Sequence, residues 1–486
     1  KEQDAEELYE VLINKYNSSL YYKHEYRKLN VFKNHIYIQG YVDDCFNIIK
    51  KLQELSSSGV FMYKETVESW LLNSMCKIDD ENKKEILQRM FADSSVALIY
   101  GAAGTGKTTL INYISNFWGN QSKIFLSNTH PAVDNLRMKI SSGNSKYETV
   151  AAFLSNSNHE IQTDILVIDE CSTISNKDMR DILEKAKFEL LVLVGDIYQI
   201  ESILFGNWFD IAKDFLPKKS IFELSQPFRT TDENLLNFWN QVRNYDDSIL
   251  ETAVRNGYTA KLDESIFESN GDDEIILCLN YDGLYGINNI NRFLQCNNPN
   301  TSVSCGVNNY KIGDPVLFNE TKRFSPLIHN NSKGKIFNIE KEDNEVKFFI
   351  ELDRPINSVE ANKYGINLVS QSQDGKSIIS FYVVDEGDSN KDEQRGDLTI
   401  VPFQVAYAVS IHKAQGLEYD SVKVVISNEV EERITHSIFY TAITRAKNKL
   451  KIYWSPETEK AVLESFDQNN SKKDANLLAV LKSLKW

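Results

Sequence analysis

The chain has 486 residues, which fits two to four domains, and its 42% hydrophobic and 25% charged content is that of a folded globular protein. No apolar run approaches the roughly 18 residues that span a bilayer, no secretory signal is visible, and no membrane partner is expected. A net charge of −15 excludes a uniformly basic nucleic-acid coat but leaves room for a narrow binding groove, because the local field decides binding.

In chain order, Leu8, Val11, Leu12 and Tyr16 recur at helical spacing. "YYKHEYRK" (21–28) then interleaves aromatics with bases. That mix suits stacking on a nucleic-acid strand; the more ordinary reading is a helix with buried tyrosines and outward bases. From about 93 to 223, apolar runs such as "KIFLSNT", "DILVIDE" and "ELLVLVGD" alternate with helix-like segments, the pattern of a parallel α/β sheet. "DEIILCLN" and "DSVKVVIS" repeat that pattern later. Between them, "DPVLFNE", "GKIFNIEKED", "EVKFFIELD" and "SIISFYVV" predict a small antiparallel barrel inserted in a second α/β domain. "DEGDSNKDEQRGD" (385–397) reads as a loop returning to the host domain. In "ANLLAVLKSLKW" (475–486), Leu477, Leu478, Leu481 and Leu484 either dock a partner helix or cover the second domain, simple packing being the expectation. Cys45, Cys76, Cys171, Cys278, Cys296 and Cys305 show neither CxxC spacing nor a paired histidine and read as reduced cytoplasmic thiols. The chain opens on Lys1 rather than Met and is taken as part of something longer.

The chemistry concentrates in a few stretches. "IYGAAGTGKTTLINYI" (99–114) fits G-x-x-x-x-G-K-[ST] between an apolar run and a helical pattern. Gly101, Gly104 and Gly106 let backbone N–H groups converge on phosphate at a helix N-terminus. Lys107 reaches the outer phosphates, Thr108 ligates Mg²⁺, and Thr109 follows in the first turn. The nucleotide is expected to be ATP. "DILVIDECS" delivers Asp169 and Glu170 to the carboxyl edge of the sheet, Asp169 for the metal and Glu170 for the attacking water. Gln199 in "GDIYQ" is placed to sense the γ-phosphate. Arg229 in "QPFR" and Arg445 in "YTAITRAK" are candidates for the positive charge that phosphoryl transfer requires.

"GAAGTGKTT", "NTHPAVDNL", "VIDECS", "GDIYQIES", "QPFR", "AVSIHKAQGLEYDSV" and "YTAITRAK" resemble, in order, the motifs of superfamily 1 helicases, over about 99 to 450. "SIHKAQG", "YTAITRAK" and the barrel-like insertion are similar to group B, the RecD-like enzymes with a UvrD-like C-terminal domain. The resemblance implies an α/β fold of two RecA-like parallel-sheet domains, with an SH3-like barrel in the second and a helical N-terminal accessory region. The expected limits are 1–92 for the accessory region, 93–223 for the first domain, 224–304 and 396–486 for the second, and 305–395 for the barrel. ATP would lie between the two domains and a single strand, DNA rather than RNA, across them. Thr129, His130 and Pro131 on one side and Ser410, His412 and Lys413 on the other would meet the strand. Gln415 and Gly416 would link it to the nucleotide.

The likeness implies a cytoplasmic helicase moving 5′ to 3′. The alternative is an ATP-switch subunit acting on a partner such as a nuclease. The chain departs from the family pattern in two places. No glutamine stands cleanly about 20 residues before the loop to read adenine, Gln88 being too near it, which leaves base selectivity open. The region 138–163, where strand-separating pins often lie, is short.

Overall fold

The computed structural model describes residues 2–484 apart from 34, 74–77, 141, 159, 201, 203, 204, 227, 229, 270, 272, 320–322, 326, 373, 374, 386–397, 430–432 and 467–470. The chain divides into two compact units, one formed by residues 1–229 with 468–486 and the other by 230–467.

The first unit is built on a six-stranded, all-parallel sheet in the order Ile221–Leu224, Val96–Gly101, Leu190–Gly195, Ile165–Ile168, Lys123–Ser127, Ser145–Thr149. Its central strands "VALIYG", "LLVLVG" and "ILVI" are buried along their whole length, as a sheet covered on both faces requires. Alternate residues feed opposite faces. Val96, Leu98 and Tyr100 pack with Ile48 and Leu52 of helix Gln39–Leu55, with Ile182 of Asn176–Lys185, and with Trp208 of Trp208–Phe215. Ala97 and Ile99 pack with Leu87 of helix Glu81–Arg89 and with Leu110 and Ile114 of Lys107–Phe117.

Three expectations are corrected here. The boundary at 92/93 does not separate an accessory body, because helices Gln39–Leu55 and Glu81–Arg89 supply cover to the two faces of this sheet. The helix Ser471–Lys482 packs on the first unit, not the second: Ala475 and Leu478 join the cluster of Leu98 and Trp208. Lys482 Nζ meets Asp43 at 2.5 Å, and Asn207 Nδ2 donates to Asp474 at 2.7 Å. "YYKHEYRK" is no amphipathic helix. Tyr22–Arg27 forms 3₁₀ turns, and Tyr21, Tyr22 and Tyr26 are exposed. The short region 138–163 contributes the edge strand Ser145–Thr149 and helix Val150–Ser155.

The second unit carries a five-stranded parallel sheet, ordered Thr259–Ala260, Ala446–Tyr453, Tyr419–Val425, Glu274–Cys278, Ala408–Ser410. Inserted in it is a six-stranded antiparallel sheet, ordered Asn367–Gln371, Ser377–Val384, Glu345–Leu352, Lys333–Glu342, Pro315–Phe318, Phe403–Val405. The backbone passes from one sheet to the other within a few residues: Phe403–Val405 pairs with Pro315–Phe318, and Ala408–Ser410 then pairs with Glu274–Cys278. The fully buried Asp314 carboxylate fastens this crossing. It accepts hydrogen bonds from Gln295 (2.6 Å), Asn298 (2.8 Å), the Lys311 N–H (2.9 Å) and the Tyr407 hydroxyl (2.8 Å). Lys333 of the inserted sheet bonds Asp273 at 2.7 Å and lies 4.1 Å from the Tyr419 ring centroid.

Among the described residues no helix is long and apolar enough to cross a membrane, and no cluster of metal-ligating side chains is present. Cys45, Cys171, Cys278, Cys296 and Cys305 are free thiols; Cys76 lies outside the described residues.

Candidate functional site

The strand Val96–Gly101 runs straight into the glycine-rich loop. A Cβ on Gly101 would come within 2.6 Å of Thr105 Oγ1, whose hydroxyl donates to the Ala102 carbonyl at 2.9 Å. Gly104 and Gly106 have φ of +79° and +78°, the left-handed region that L side chains avoid. Gly106 caps helix Lys107–Phe117 without a side chain, so the first-turn N–H groups, at the positive end of the helix dipole, face the loop mouth uncovered by a capping group. Lys107 Nζ lies along the loop, donating to the carbonyls of Gly101 (2.9 Å) and Ala102 (3.0 Å). Thr108 and Thr109 occupy the first turn, half-buried.

Asp169 leaves the end of strand Ile165–Ile168 with 7% of its surface exposed. Burial raises its carboxyl pKa, while the charge of Lys107 and the Glu170 N–H, 2.9 Å from Oδ1, pull the other way. Lys107 and Asp169 both follow strands of the same parallel sheet at its carboxyl edge. Glu170 sits at φ +55°, its carbonyl accepting from the Thr173 N–H (2.9 Å) and hydroxyl (2.8 Å). Gln199 is held by Asp196 at the end of the next strand, Nε2 to Oδ2 at 3.2 Å. The hydroxyl of Thr108 and the carboxylate of Asp169 are hard oxygen donors of the kind Mg²⁺ takes, so the residues present fit that ion.

Arg229 lies outside the described residues, but its neighbour Phe228 is pinned to the loop, donating its N–H to the Gly104 carbonyl at 2.6 Å. Thr129 caps helix His130–Lys139 through Oγ1 to the Ala132 N–H (3.4 Å), and Pro131 stands in its first turn. Burial lowers the His130 pKa, opposed by Asp134. Asn128 ties this helix start to the acidic turn, bonding the Thr173 carbonyl at 2.9 Å.

In the second unit, Ser410 ends its strand and its Oγ accepts from the Lys413 N–H (3.2 Å). Lys413 Nζ donates to Gln404 at 2.9 Å, and His412 is exposed. Gly416 turns the chain at φ +79°, and Nε2 of Gln415 is buried with no hydrogen-bond partner among the described residues. Arg445 is buried and bound within its own unit: Nε to the Thr441 carbonyl (3.0 Å), Nη1 to Leu417 (3.3 Å), and Nη2 to the Thr444 hydroxyl (3.4 Å). It thereby braces the turn that follows "SIHKAQG".

Three residues escaped the sequence reading. Asp196 was visible in "GDIYQ" as a carboxylate three residues before Gln199. Phe228 was visible in "QPFR". Lys83 left no usable signal. It is fully buried, 2.8 Å from Asp79 Oδ2 and 4.0 Å from the Phe228 ring centroid, and a Cβ on Gly106 would come within 2.6 Å of its Nζ.

The first unit is therefore a P-loop nucleotide-binding domain, with Asp169, Glu170 and Gln199 at the carboxyl edge of its sheet. Residues 80–263 match the family model described as an AAA domain, and 405–453 the model for the UvrD-like helicase C-terminal domain. The chain is 24% identical over 337 residues to the RecBCD enzyme subunit RecD of Haemophilus influenzae, covering 61% of this chain and 52% of the relative. It is 22% identical over 460 residues to the ATP-dependent DNA helicase Pif1 of Campylobacter jejuni, covering 82% and 96%. A Bacteroides Pif1 helicase solved with ADP-AlF3 and ssDNA shares the fold at TM-score 0.51 and 16% identity, covering 84% of this chain and 98% of that one. The chain is thus similar to superfamily 1 helicases of the RecD-like and Pif1-like kind. It spans about half the length of the RecD relative it matches.

Proposed function

We propose that the chain hydrolyses ATP at the glycine-rich loop and uses the turnover to move 5′ to 3′ along single-stranded DNA, separating duplex as it goes. The observation that carries this reading is the glycine-rich loop, with Gly104 and Gly106 at positive φ, at the same carboxyl edge of the parallel sheet as the strand end that bears Asp169. Lys107 pairs with the outer phosphates, while Gly101, Gly104, Gly106 and Thr109 line their cradle, with Gly416 contributing from the later motif. Thr108 and Asp169 hold Mg²⁺, which neutralises charge on the transferring group when bound. Glu170 orients and deprotonates the attacking water. Gln199, set by Asp196, reads the γ-phosphate, and Arg229 and Arg445 supply charge to the transition state.

Thr129, His130 and Pro131, with Ser410, His412 and Lys413, contact the strand. The antiparallel insertion acts as an SH3-like barrel. The Pif1 and RecD likeness supports DNA as the track, and the cytoplasm is the proposed location. The 5′ to 3′ direction rests on group likeness alone.

The test is ATP turnover with and without single-stranded DNA or RNA, then strand displacement from duplexes tailed at one end. Strong stimulation by DNA and displacement from a 5′ tail only are expected; displacement from a 3′ tail only overturns the direction. A second reading, a switch subunit acting on a nuclease, is favoured by the RecD relative being a subunit of the RecBCD enzyme. Turnover that ignores DNA and responds only to a protein partner would establish it.

A further inference from the structure

The sheet of the first unit ends on the strand Ser145–Thr149. It pairs with Lys123–Ser127 on one side and, among the described residues, with no strand on the other. The Lys123 N–H donates to the Asn144 carbonyl. By the alternation of a parallel ladder, residues 146 and 148 then turn their backbone groups inward, while Ser145, Tyr147 and Thr149 turn theirs outward. Stacking of Tyr147 on Phe125, with ring centroids 4.8 Å apart, holds the strand against its neighbour. Among the described residues the Tyr147 carbonyl takes only the Arg137 guanidinium, at 3.4 Å, from a side chain 47% exposed. An open edge of this kind is a template for another strand.

The sequence of the edge selects the strand that fits. Ser-Lys-Tyr-Glu-Thr is chemically self-complementary when reversed. An antiparallel second copy centred on Tyr147 sets Lys146 against Glu148 of that copy, Glu148 against its Lys146, tyrosine against tyrosine, and Ser145 against Thr149. Opposite charges, aromatic pairs and hydroxyl pairs are the cross-strand combinations that stabilise a ladder. The backbone agrees with the side chains. Because Tyr147 faces outward, the two tyrosines form a hydrogen-bonded pair that exchanges both N–H···O bonds, and the 146/148 pairs become the closer, non-hydrogen-bonded kind. A two-fold axis through Tyr147 repeats each contact, as an isologous interface requires. Lys146 is 52% exposed and lies 2.9 Å from Glu148 along its own strand, so both charges stand on one face. The opposite edge of the sheet, Ile221–Leu224, has no such symmetry: reversed on itself, it sets Phe222 against Glu223.

We propose that two copies of this chain associate by antiparallel pairing of Ser145–Thr149, joining two six-stranded sheets into one of twelve strands. The joining strands run in opposite directions, so the two glycine-rich loops open in opposite directions as well. Three strands separate this edge from the strand that carries the loop, and the pairing asks only that Arg137 release the Tyr147 carbonyl.

The test is sedimentation velocity of the full chain over a concentration series without DNA. Physiological salt, with a Debye length of about 8 Å, screens the repulsion between two chains of net charge −15. The unaltered protein should pass from monomer to dimer as concentration rises. Lys146→Glu and Glu148→Lys should each weaken association by about tenfold or more, because the two-fold axis turns one reversal into two like-charged pairs. An equimolar mixture of the two variants should recover it, since one strand then carries two glutamates and the other two lysines. Each variant's own 146–148 ion pair stays broken in the mixture, so a purely internal effect of the substitutions gives no recovery, and thermal melting checks that both variants are folded. A protein that stays monomeric throughout the series, a dimer indifferent to both reversals, or variants that stay monomeric when mixed would each overturn the proposal.

Discussion

Leu478→Ala tests the assignment of helix Ser471–Lys482 to the nucleotide-binding unit. Leu478 is 2% exposed and sits in one cluster with Leu98 and Trp208. Truncation to alanine removes three carbon groups; at about 0.8 kcal/mol each the transfer loss is roughly 2.4 kcal/mol, and the cavity left behind brings the total to about 3 kcal/mol. For a domain of this size that lowers the melting temperature by roughly 6–12 °C. Lys482→Ala, which removes a half-exposed ion pair with Asp43, should cost less than about 1 kcal/mol. The assay is differential scanning calorimetry with and without ADP. Bound nucleotide raises the transition of the unit that binds it, so the transition lowered by Leu478→Ala should be the one ADP raises. An unchanged melt, or a loss confined to a transition ADP does not move, would refute the docking.

Glu170→Gln should leave nucleotide binding intact, since Thr108 and Asp169 still hold the metal, while hydrolysis drops by roughly 10²–10⁴-fold in a steady-state assay. Loss of binding instead would reverse the roles of the two acids. Arg445→Ala should lower DNA-stimulated turnover more than nucleotide affinity; equal losses in rate and affinity would limit its role to binding. Lys413→Ala should weaken single-strand binding evenly across sequences and reduce its salt slope by about one unit, measured by fluorescence anisotropy over a salt series. A changed sequence preference would count against a phosphate contact.

The central strands and the loop were legible because their signal is local. "VALIYG" and "LLVLVG" are continuous apolar runs, and the loop spacing is dictated by a ligand rather than by distant packing. The helices that complete the first unit were not. Gln39–Leu55 and Ser471–Lys482 are amphipathic in the ordinary way, and periodicity says which face of a helix is buried but not against what. The sequence placed the second of these on the wrong unit for that reason. Lys83 shows the same limit at single-residue scale. In "ENKKE" it reads like its neighbour Lys84, a solvated base on a polar helix, and only the fold makes one buried at the loop and the other exposed beside Glu81. Arg445 was recognisable as a motif residue, but its bond to the Leu417 carbonyl spans 28 residues and left no pattern to read.

The return of residues 471–482 to the first unit also orders events on the ribosome. Domains usually complete themselves from the N-terminus as they emerge. Here the nucleotide-binding unit waits with the faces of helices Gln39–Leu55 and Trp208–Phe215 that meet Ser471–Lys482 uncovered while residues 230–467 are made. The second unit, continuous in sequence, has its whole chain in hand before the first does. During that interval the apolar face is a surface for holding chaperones, and a stalled translation product would display it unrelieved.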